Sequence, residues 1–255
     1  MYRLTEIAAG VLVATCEMYV TTSTVIMGRD GGCLLIDPGV TVSDLRLLVA
    51  DLAEAGLQPA AGFATHPHWD HVLWCRELGD VPRYAARRAV DTARRERAGL
   101  IDAVQESAPG HDLELVGRLR PLRPDVAALP WDGPDAMIVT HDGHAPGHSA
   151  IFLPATGILV AGDMCSEIEI PLLDLEQPDP VGDYRAGLSL LAALPVRQVV
   201  PGHGSVADGA EFRRRVAADI SYLDGLLGSA ESRDPRLTMK WMIDQHEQQV
   251  RHVRG

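Results

Sequence analysis

The chain has 255 residues, of which 46% are hydrophobic and 23% are charged, a balance typical of a globular protein. Its formal net charge of −12 argues against nucleic acid as a partner, because phosphate backbones attract clustered positive charge. The four cysteines are widely spaced and form no Cys-x-x-Cys pair, which indicates free thiols in a reducing compartment and predicts a cytoplasmic protein. No apolar run is long enough to predict a membrane span, so no membrane partner is expected.

The first part of the chain predicts strands followed by a helix. Aliphatic and β-branched runs predict strands at residues 10–15, 19–27 and 33–36. A helix is predicted between Ser43 as its N-cap and Gly56, because leucines recur there at helical spacing. This order is the start of a mixed α/β fold.

The middle of the chain predicts a metal-type loop followed by a cover. A short strand at residues 61–65 leads into a loop rich in histidine, and a helix is predicted over residues 70–78. Residues 87–107 have helical composition, whereas residues 108–135 are rich in proline and are predicted to be irregular. Since long irregular segments often form lids or binding loops, the whole stretch at about 84–135 is expected to cover a site.

The same order of strands and then helices returns in the second half of the chain. Strands are predicted at residues 136–140, 150–153, 158–161 and 198–200. Helices are predicted at residues 183–194, 212–227 and 236–253. Two such halves predict a layered α/β arrangement with sheets inside and helices outside. The last helix is expected to pack either on its own domain or on the second copy in a homodimer.

Residues 65–71 read Thr-His-Pro-His-Trp-Asp-His, which places three histidines and a carboxylate within six residues. Pro67 fits poorly inside a helix, so the start of this run is predicted to be a loop in which the flanking imidazoles turn toward a common centre. Imidazole and carboxylate groups bind zinc and other first-row divalent ions. A solvated polar loop is the alternative, and the density of the motif favours a metal site.

Further metal-type residues follow the predicted strands of the second half. They lie in three short motifs, Gly-His-Ala-Pro-Gly-His at 143–148, Gly-Asp at 162–163 and Pro-Gly-His-Gly at 201–204. A single Gly-His pair is more often a surface turn, and a single aspartate at a strand end is more often a cap. Because all three motifs occur at strand ends, where loops hold functional groups on a rigid scaffold, together they indicate one site.

A further motif, Leu-Ile-Asp-Pro-Gly at 35–39, ends a predicted strand. Together with the histidine motifs, it makes the chain resemble the metallo-β-lactamase-fold hydrolases over residues of about 10 to 205. Within these hydrolases, the chain resembles the dinuclear type that includes glyoxalase II, lactonases and thioesterases. The resemblance implies an α/β (α+β) fold, a four-layer αββα sandwich. It also implies a single domain over residues 1–255, with C-terminal helices at about 208–253.

The resemblance further implies a set of metal ligands. Three histidines are implied to hold one ion, namely His66, His68 and His148. The implied ligands of the second ion are Asp70, His71 and His203, and Asp163 is implied to bridge both ions. Asp37 and His144 are expected to support these ligands without binding metal, and Trp69 is expected to line the substrate pocket. The implied cofactors are two zinc ions, with iron or manganese as alternatives, because nitrogen and oxygen ligands do not select zinc.

The implied reaction is hydrolysis of a carboxylic thioester, ester or lactone on a small molecule or a carrier. A hydroxide bridging the two ions attacks the carbonyl group, and Asp70 is the ligand expected to orient it. Three other functions remain open: a β-lactamase-like amide hydrolase, a phosphodiesterase and an iron-dependent oxidoreductase of the persulfide dioxygenase type. A metal-binding scaffold without activity is the alternative outside enzymes, and seven ligand positions exceed the four that a structural zinc site needs.

Overall fold

The computed structural model describes residues 3–123, 126–228 and 234–255. Within these ranges the strands form two sheets. The first sheet contains β1 (Thr5–Ala8), β2 (Val11–Thr15), β3 (Thr22–Met27), β4 (Gly32–Ile36), β5 (Gln58–Phe63), β6 (Arg83–Ala85) and β7 (Arg120–Pro121). The second sheet contains β8 (Met137–His141), β9 (His148–Leu153), β10 (Ile158–Gly162), β11 (Gln198–Pro201) and β12 (Ala207–Asp208).

Six α-helices lie in the same described ranges. They are α1 (Val42–Glu54), α2 (Arg87–Arg95), α3 (Arg97–Ser107), α4 (Pro180–Ala192), α5 (Gly209–Leu227) and α6 (Lys240–Arg254). Two short 3₁₀ helices cover Met18–Val20 and Arg76–Leu78. In the part of the chain that the structure describes, every helix is too short or too polar to cross a membrane.

The strand order places both sheets around one apolar core. In the first sheet, β1 to β4 are antiparallel neighbours. Strands β5, β6 and β7 follow β4 in that order, and each is parallel to the strand before it. In the second sheet β10 pairs with β11 in parallel, while β8, β9 and β12 pair antiparallel. One buried cluster joins Ile26 and Phe63 of the first sheet to Ile151 and Val160 of the second. The two sheets therefore pack face to face.

The outer face of each sheet is covered by helices. Because side chains alternate along a strand, Val25 and Leu35 point away from the inner core and pack with Leu48 of α1. On the other side, α4, α5 and α6 pack over the second sheet, where Leu188 and Phe212 lie in one buried cluster. Helix, sheet, sheet and helix form four layers, so the predicted αββα sandwich is confirmed.

The structure corrects two local predictions. Helix α1 begins after Thr41 rather than Ser43, because the Thr41 side chain accepts a hydrogen bond from Asp44 N at 3.1 Å while Asp44 Oδ2 accepts one from Thr41 N at 2.8 Å. The helix predicted over residues 70–78 is wrong: only Arg76–Leu78 form a short 3₁₀ helix. The preceding backbone turns instead, and this brings Asp70 and His71 to the same edge of the sheets.

The stretch at 84–135 contains the predicted helical part followed by a mostly irregular part. Its helical part is divided into α2 and α3 at Glu96, whose backbone leaves the helical region. The proline-rich part is mostly irregular, as predicted, with β7 as its one regular element among the described residues. Buried leucines, including Leu115 and Leu122, fix this part against the domain.

Candidate metal centre

The centre is built on a buried aspartate at the end of β4. Asp37 Oδ1 accepts a hydrogen bond from Thr65 N at 2.9 Å, and its Oδ2 accepts one from Thr65 Oγ1 at 2.6 Å. The same Oδ2 lies 2.9 Å from His71 Nδ1. Asp37 therefore joins the ends of β4 and β5 and fixes the His71 ring from behind, the position expected for a supporting residue.

A first group of donors lies where β5, the β8–β9 turn and β10 end. It consists of His66, His68, His144 and Asp163, whose donor atoms all lie within 4.8 Å of one another. His68 Nδ1 is 3.1 Å from His66 Nε2 and 3.0 Å from His144 Nε2. Asp163 Oδ2 is 3.3 Å from His66 Nε2 and 3.4 Å from His144 Nε2. Three imidazoles and a carboxylate thus converge on one point.

A second group lies beside the first and consists of Asp70, His71 and His203. The Nε2 atoms of His71 and His203 are 3.3 Å apart, and Asp70 Oδ2 lies 3.5 Å and 3.4 Å from them, respectively. Asp163 reaches this group as well, with Oδ1 3.2 Å from His71 Nε2 and Oδ2 3.2 Å from His203 Nε2. The Asp163 carboxylate therefore contacts both groups, as the bridging role requires.

The structure differs from the sequence-based ligand set at one histidine. His148 was expected among the donors, but its Nε2 accepts a hydrogen bond from Asp163 N at 3.1 Å and is not part of either group. His144, which was expected to play a supporting role, takes that place. The physical reason is the turn between them: His144 adopts a left-handed backbone with φ 73°, whereas His148 begins β9 and is buried inside the sheet.

Hydrogen bonds behind the rings show which nitrogen faces the centre. His144 Nδ1 lies 3.0 Å from the carbonyl oxygen of Leu172, and His203 Nδ1 lies 3.0 Å from that of Tyr19. A carbonyl oxygen only accepts hydrogen bonds, so each Nδ1 carries the proton. Each Nε2 then directs a lone pair at the donor groups.

The same holds for two further rings. Thr65 Oγ1 donates its only proton to Asp37, so it accepts at 3.0 Å from His66 Nδ1. His71 Nδ1 faces the Asp37 carboxylate, which likewise only accepts. The Nε2 lone pairs of these four histidines and the carboxylate oxygens therefore point toward the same centre. Asp163 Oδ1 is buried there with no hydrogen-bond partner. Convergent acceptors without protons between them fit divalent cations.

The charges of the centre also favour the binding of cations. Burial lowers the pKa of His71, but the carboxylates of Asp163, Asp70 and Asp37 outweigh it and hold that pKa well above its ordinary value. Burial raises the pKa of Asp70, but His71 and His203 outweigh it and hold that pKa well below its ordinary value. The carboxylates thus attract positive charge, which either protons or cations supply, and the two compete.

The centre opens into a cavity of about 790 Å³. Trp69 lines it as predicted, and its ring meets Tyr19 edge to face with centroids 6.3 Å apart. Sequence reasoning missed three other elements of the wall: Arg95 and Glu96 at the end of α2, Glu169 after β10, and Trp241 of α6. None of them belongs to a recognisable motif, since only the folded chain brings them together.

Sequence reasoning also passed over His141, which is buried at the end of β8. Its ring stacks on that of His148 with centroids 4.7 Å apart, and neither of its nitrogens has a hydrogen-bond partner. A Gly-His pair occurs at 143–144, at 147–148 and at 202–203, so this pattern does not distinguish His144 from His148.

Comparisons with known proteins agree with this architecture. The profile of the metallo-beta-lactamase superfamily matches residues 19–203. A probable metallo-hydrolase of Bacillus subtilis (strain 168), YflN, is 28% identical over 205 residues, covering 68% of this chain and 74% of that protein. A solved beta-lactamase domain protein from Burkholderia ambifaria aligns with a TM-score of 0.67 and 22% identity over 88% of this chain and 77% of that one. A metallo-beta-lactamase family protein from Thermus thermophilus aligns with a TM-score of 0.67 and 24% identity over 87% and 83%.

Two facing sheets between helices, with clustered histidines and aspartates at one edge, define a metal-binding αββα protein. Because the family profile covers most of its length, the chain belongs to the metallo-β-lactamase superfamily. The two solved structures show that the fold is shared. The narrower glyoxalase II, lactonase or thioesterase-like type stays a prediction.

Proposed function

We propose that this protein is a metal-dependent hydrolase that cleaves a carboxylic ester, lactone or thioester. The observation that carries the proposal is the position of Asp163, whose carboxylate contacts both donor groups within 3.4 Å. A carboxylate between two sets of imidazoles is suited to a pair of divalent ions. Membership of the superfamily and the likeness to a probable metallo-hydrolase of Bacillus subtilis support the same reaction class.

The proposal assigns a place to each ion. His66, His68 and His144 hold the first, Asp70, His71 and His203 hold the second, and Asp163 takes part in both sites. Zinc is the proposed metal, with iron or manganese as alternatives, because the donors are nitrogen and oxygen. When bound, such ions lower the pKa of water to about 7 and polarise a carbonyl group.

The protein's own groups orient the reaction. Asp70 lies beside both imidazoles of its group and is assigned to hold the second ion and to orient the attacking water. Asp37 and the carbonyl of Tyr19 hold His71 and His203 in the tautomer that the centre requires. The rings of Tyr19 and Trp69 contact each other and form an aromatic part of the cavity lining.

An iron-dependent oxidoreductase is the second candidate function, and the absence of a cysteine from the donor groups among the described residues favours it. Cys165, two residues beyond Asp163, is buried and lies outside both donor groups among the described residues. The centre therefore has no thiolate to favour zinc over iron.

The test is a substrate panel with protein loaded separately with zinc and with iron. The panel contains a thioester, a lactone, an aryl ester, a β-lactam and a bis-aryl phosphate, each with wild type and Asp163→Ala. Turnover of an ester, lactone or thioester by the zinc form, lost in Asp163→Ala, is the expected result. Turnover of only the phosphate or the β-lactam contradicts the proposed substrate class. Oxygen uptake by the iron form, without any hydrolysis, favours the oxidoreductase.

A further inference from the structure

Apart from the metal-type residues, the lining of the cavity above the centre includes a set of large apolar side chains, here called the apolar wall, and a set of acidic side chains, here called the rim. The apolar wall consists of Tyr19, Trp69, Leu172, Leu175 and Trp241. The rim, apart from the metal-type residues, carries four acidic side chains, those of Glu96, Glu169, Asp174 and Glu176. Arg95 is the one lysine or arginine among the described residues that line this cavity. Burial raises the pKa of Glu169 to about 7, so the formal charge of the rim near neutral pH lies between −2, with Glu169 neutral, and −3, with all four acids ionised.

The single arginine is already engaged. Arg95 Nη2 donates to Glu96 Oε1 at 2.7 Å and to Thr92 Oγ1 at 3.2 Å. Its charge is therefore compensated on the same helix, and it is not poised to bind a carboxylate or phosphate of a substrate. Recognition of such anions normally uses a free arginine fork or a lysine.

The acidic rim is held in place by the fold. The carbonyl oxygen of Glu169 accepts a hydrogen bond from Arg236 Nη1 at 2.9 Å, and Arg236 is itself buried against Asp219. Asp174 Oδ1 accepts from Glu176 N at 3.1 Å, so these two acids share one turn. These contacts position the backbone of the rim on the cavity side of the domain.

The apolar wall is fixed as well, by α6. Gln249 Oε1 accepts from Leu173 N at 2.6 Å, and Gln249 Nε2 donates to Tyr222 OH at 2.7 Å. The loop with Leu172 and Leu175 is thereby tied to the helix that carries Trp241. An ordered apolar surface of this kind suits the hydrocarbon part of an acyl group.

We propose that the substrate of this centre is an uncharged or cationic ester or lactone with an apolar acyl group, and that the rim rejects anionic acyl donors. This inference rests on the proposed function and narrows it. The proposal excludes two classes of substrate: thioesters on carriers that bear phosphate groups, and amides that an enzyme recognises through a carboxylate on the substrate. Two divalent ions change the chain's formal net charge from −12 to −8, so the bound protein as a whole still slows the approach of an anion.

The test uses three esters with the same apolar acyl group and a neutral, a quaternary ammonium or a sulfonate leaving group. With zinc-loaded protein at low ionic strength, kcat/KM for the neutral and cationic esters is expected to exceed that for the anionic ester by about tenfold or more. The ratio is expected to shrink in about 0.5 M salt, and in the double variant Glu96→Gln/Glu176→Gln. Glu54→Gln, on the exposed side of α1, serves as the matched control and is expected to leave the ratio unchanged.

Binding provides a readout that does not depend on turnover. Matched ethers, which cannot be hydrolysed, are titrated while the tryptophan fluorescence is followed, to which Trp69 and Trp241 of the cavity contribute. Equal affinity for the three ethers, or equal kcat/KM for the three esters, overturns the charge proposal and leaves the hydrolase intact. Failure to hydrolyse any ester, lactone or thioester overturns the proposed function, and this inference falls with it.

Discussion

Nδ1 of His71 lies 2.9 Å from Oδ2 of Asp37, although the two residues are 34 positions apart in the chain. This contact fixes the tautomer of a candidate metal ligand. The carboxylate accepts a hydrogen bond from Nδ1–H, so the lone pair of Nε2 faces the centre. Such outer contacts commonly govern metal affinity by about 10- to 100-fold.

Asp37→Asn is therefore expected to weaken the binding of one metal ion by about 10- to 100-fold while the fold is retained. The amide still accepts a hydrogen bond from Thr65, but it no longer attracts the His71 proton as a charged group does. Competition with a chromophoric chelator measures the change. Asp91→Asn, an exposed substitution on α2, is the control, and equal metal affinity in both variants contradicts the role of Asp37.

The exchange of His144 and His148 gives a second prediction. His144→Ala is expected to reduce the bound metal after dialysis from about two ions to about one, because it removes a donor of the first group. His148→Ala is expected to retain about two ions with weaker binding, since it removes only the ring that accepts from Asp163 N. Metal content by mass spectrometry separates the two, and the reverse pattern would show that His148, as the sequence predicts, is the ligand in place of His144.

The close approach of Gly202, the residue after β11, to Asp163 gives a third prediction. A Cβ atom at Gly202 would fall on Oδ1 of Asp163, so Gly202→Ala is expected to displace that carboxylate and to cost about 1–3 kcal/mol of stability. Gly99→Ala is the matched control, because a Cβ there meets open space on α3 and is expected to stabilise by up to about 1 kcal/mol. Thermal unfolding with and without zinc measures both, and an unperturbed Gly202→Ala protein with full metal affinity would contradict the packing described here.

A buried carboxyl that lies outside both donor groups, that of Asp219, predicts a pH dependence of stability. Burial raises the pKa of Asp219 from 3.8 to about 6 and outweighs the lowering effect of Arg236, which lies 2.5 Å away. A raised folded-state pKa means that the folded protein holds the proton more tightly. Its stabilising effect is therefore present below about pH 4 and is lost as pH rises through about 6.

The unfolding free energy of wild type minus that of Asp219→Asn is accordingly expected to fall by up to about 3 kcal/mol between about pH 4 and 6. Urea unfolding at several pH values measures it. A difference that is constant or grows over this range would show that the Asp219–Arg236 pair is ionised throughout.

Much of the fold was predictable because its signals are local. The alternation of Val25 and Ile26, and of Leu34 and Leu35, directs side chains to opposite faces of the first sheet and is visible in the sequence. The end of β3 was predictable too, but its start at Thr22 was not, because Met18–Val20 form a 3₁₀ turn with left-handed residues.

The centre was predictable where ligands share one motif and less so where they depend on a turn. His66, His68, Asp70 and His71 lie together in sequence and in space. The choice between His144 and His148 depends on the backbone of the β8–β9 turn, which the Pro-Gly-His pattern does not reveal. The cavity rim was beyond sequence reasoning, since α2, the loop after β10 and α6 meet only in the folded chain.

The central claim is a pair of metal ions joined by Asp163, and anomalous diffraction from crystals of the zinc-loaded protein tests it most directly. Data collected on either side of the zinc absorption edge locate the ions without assumptions about ligands. The account predicts two peaks about 3.5–4 Å apart, one beside His66, His68 and His144, the other beside Asp70, His71 and His203, with Asp163 between them. A single peak, or a first ion bound by His148 in place of His144, would contradict it.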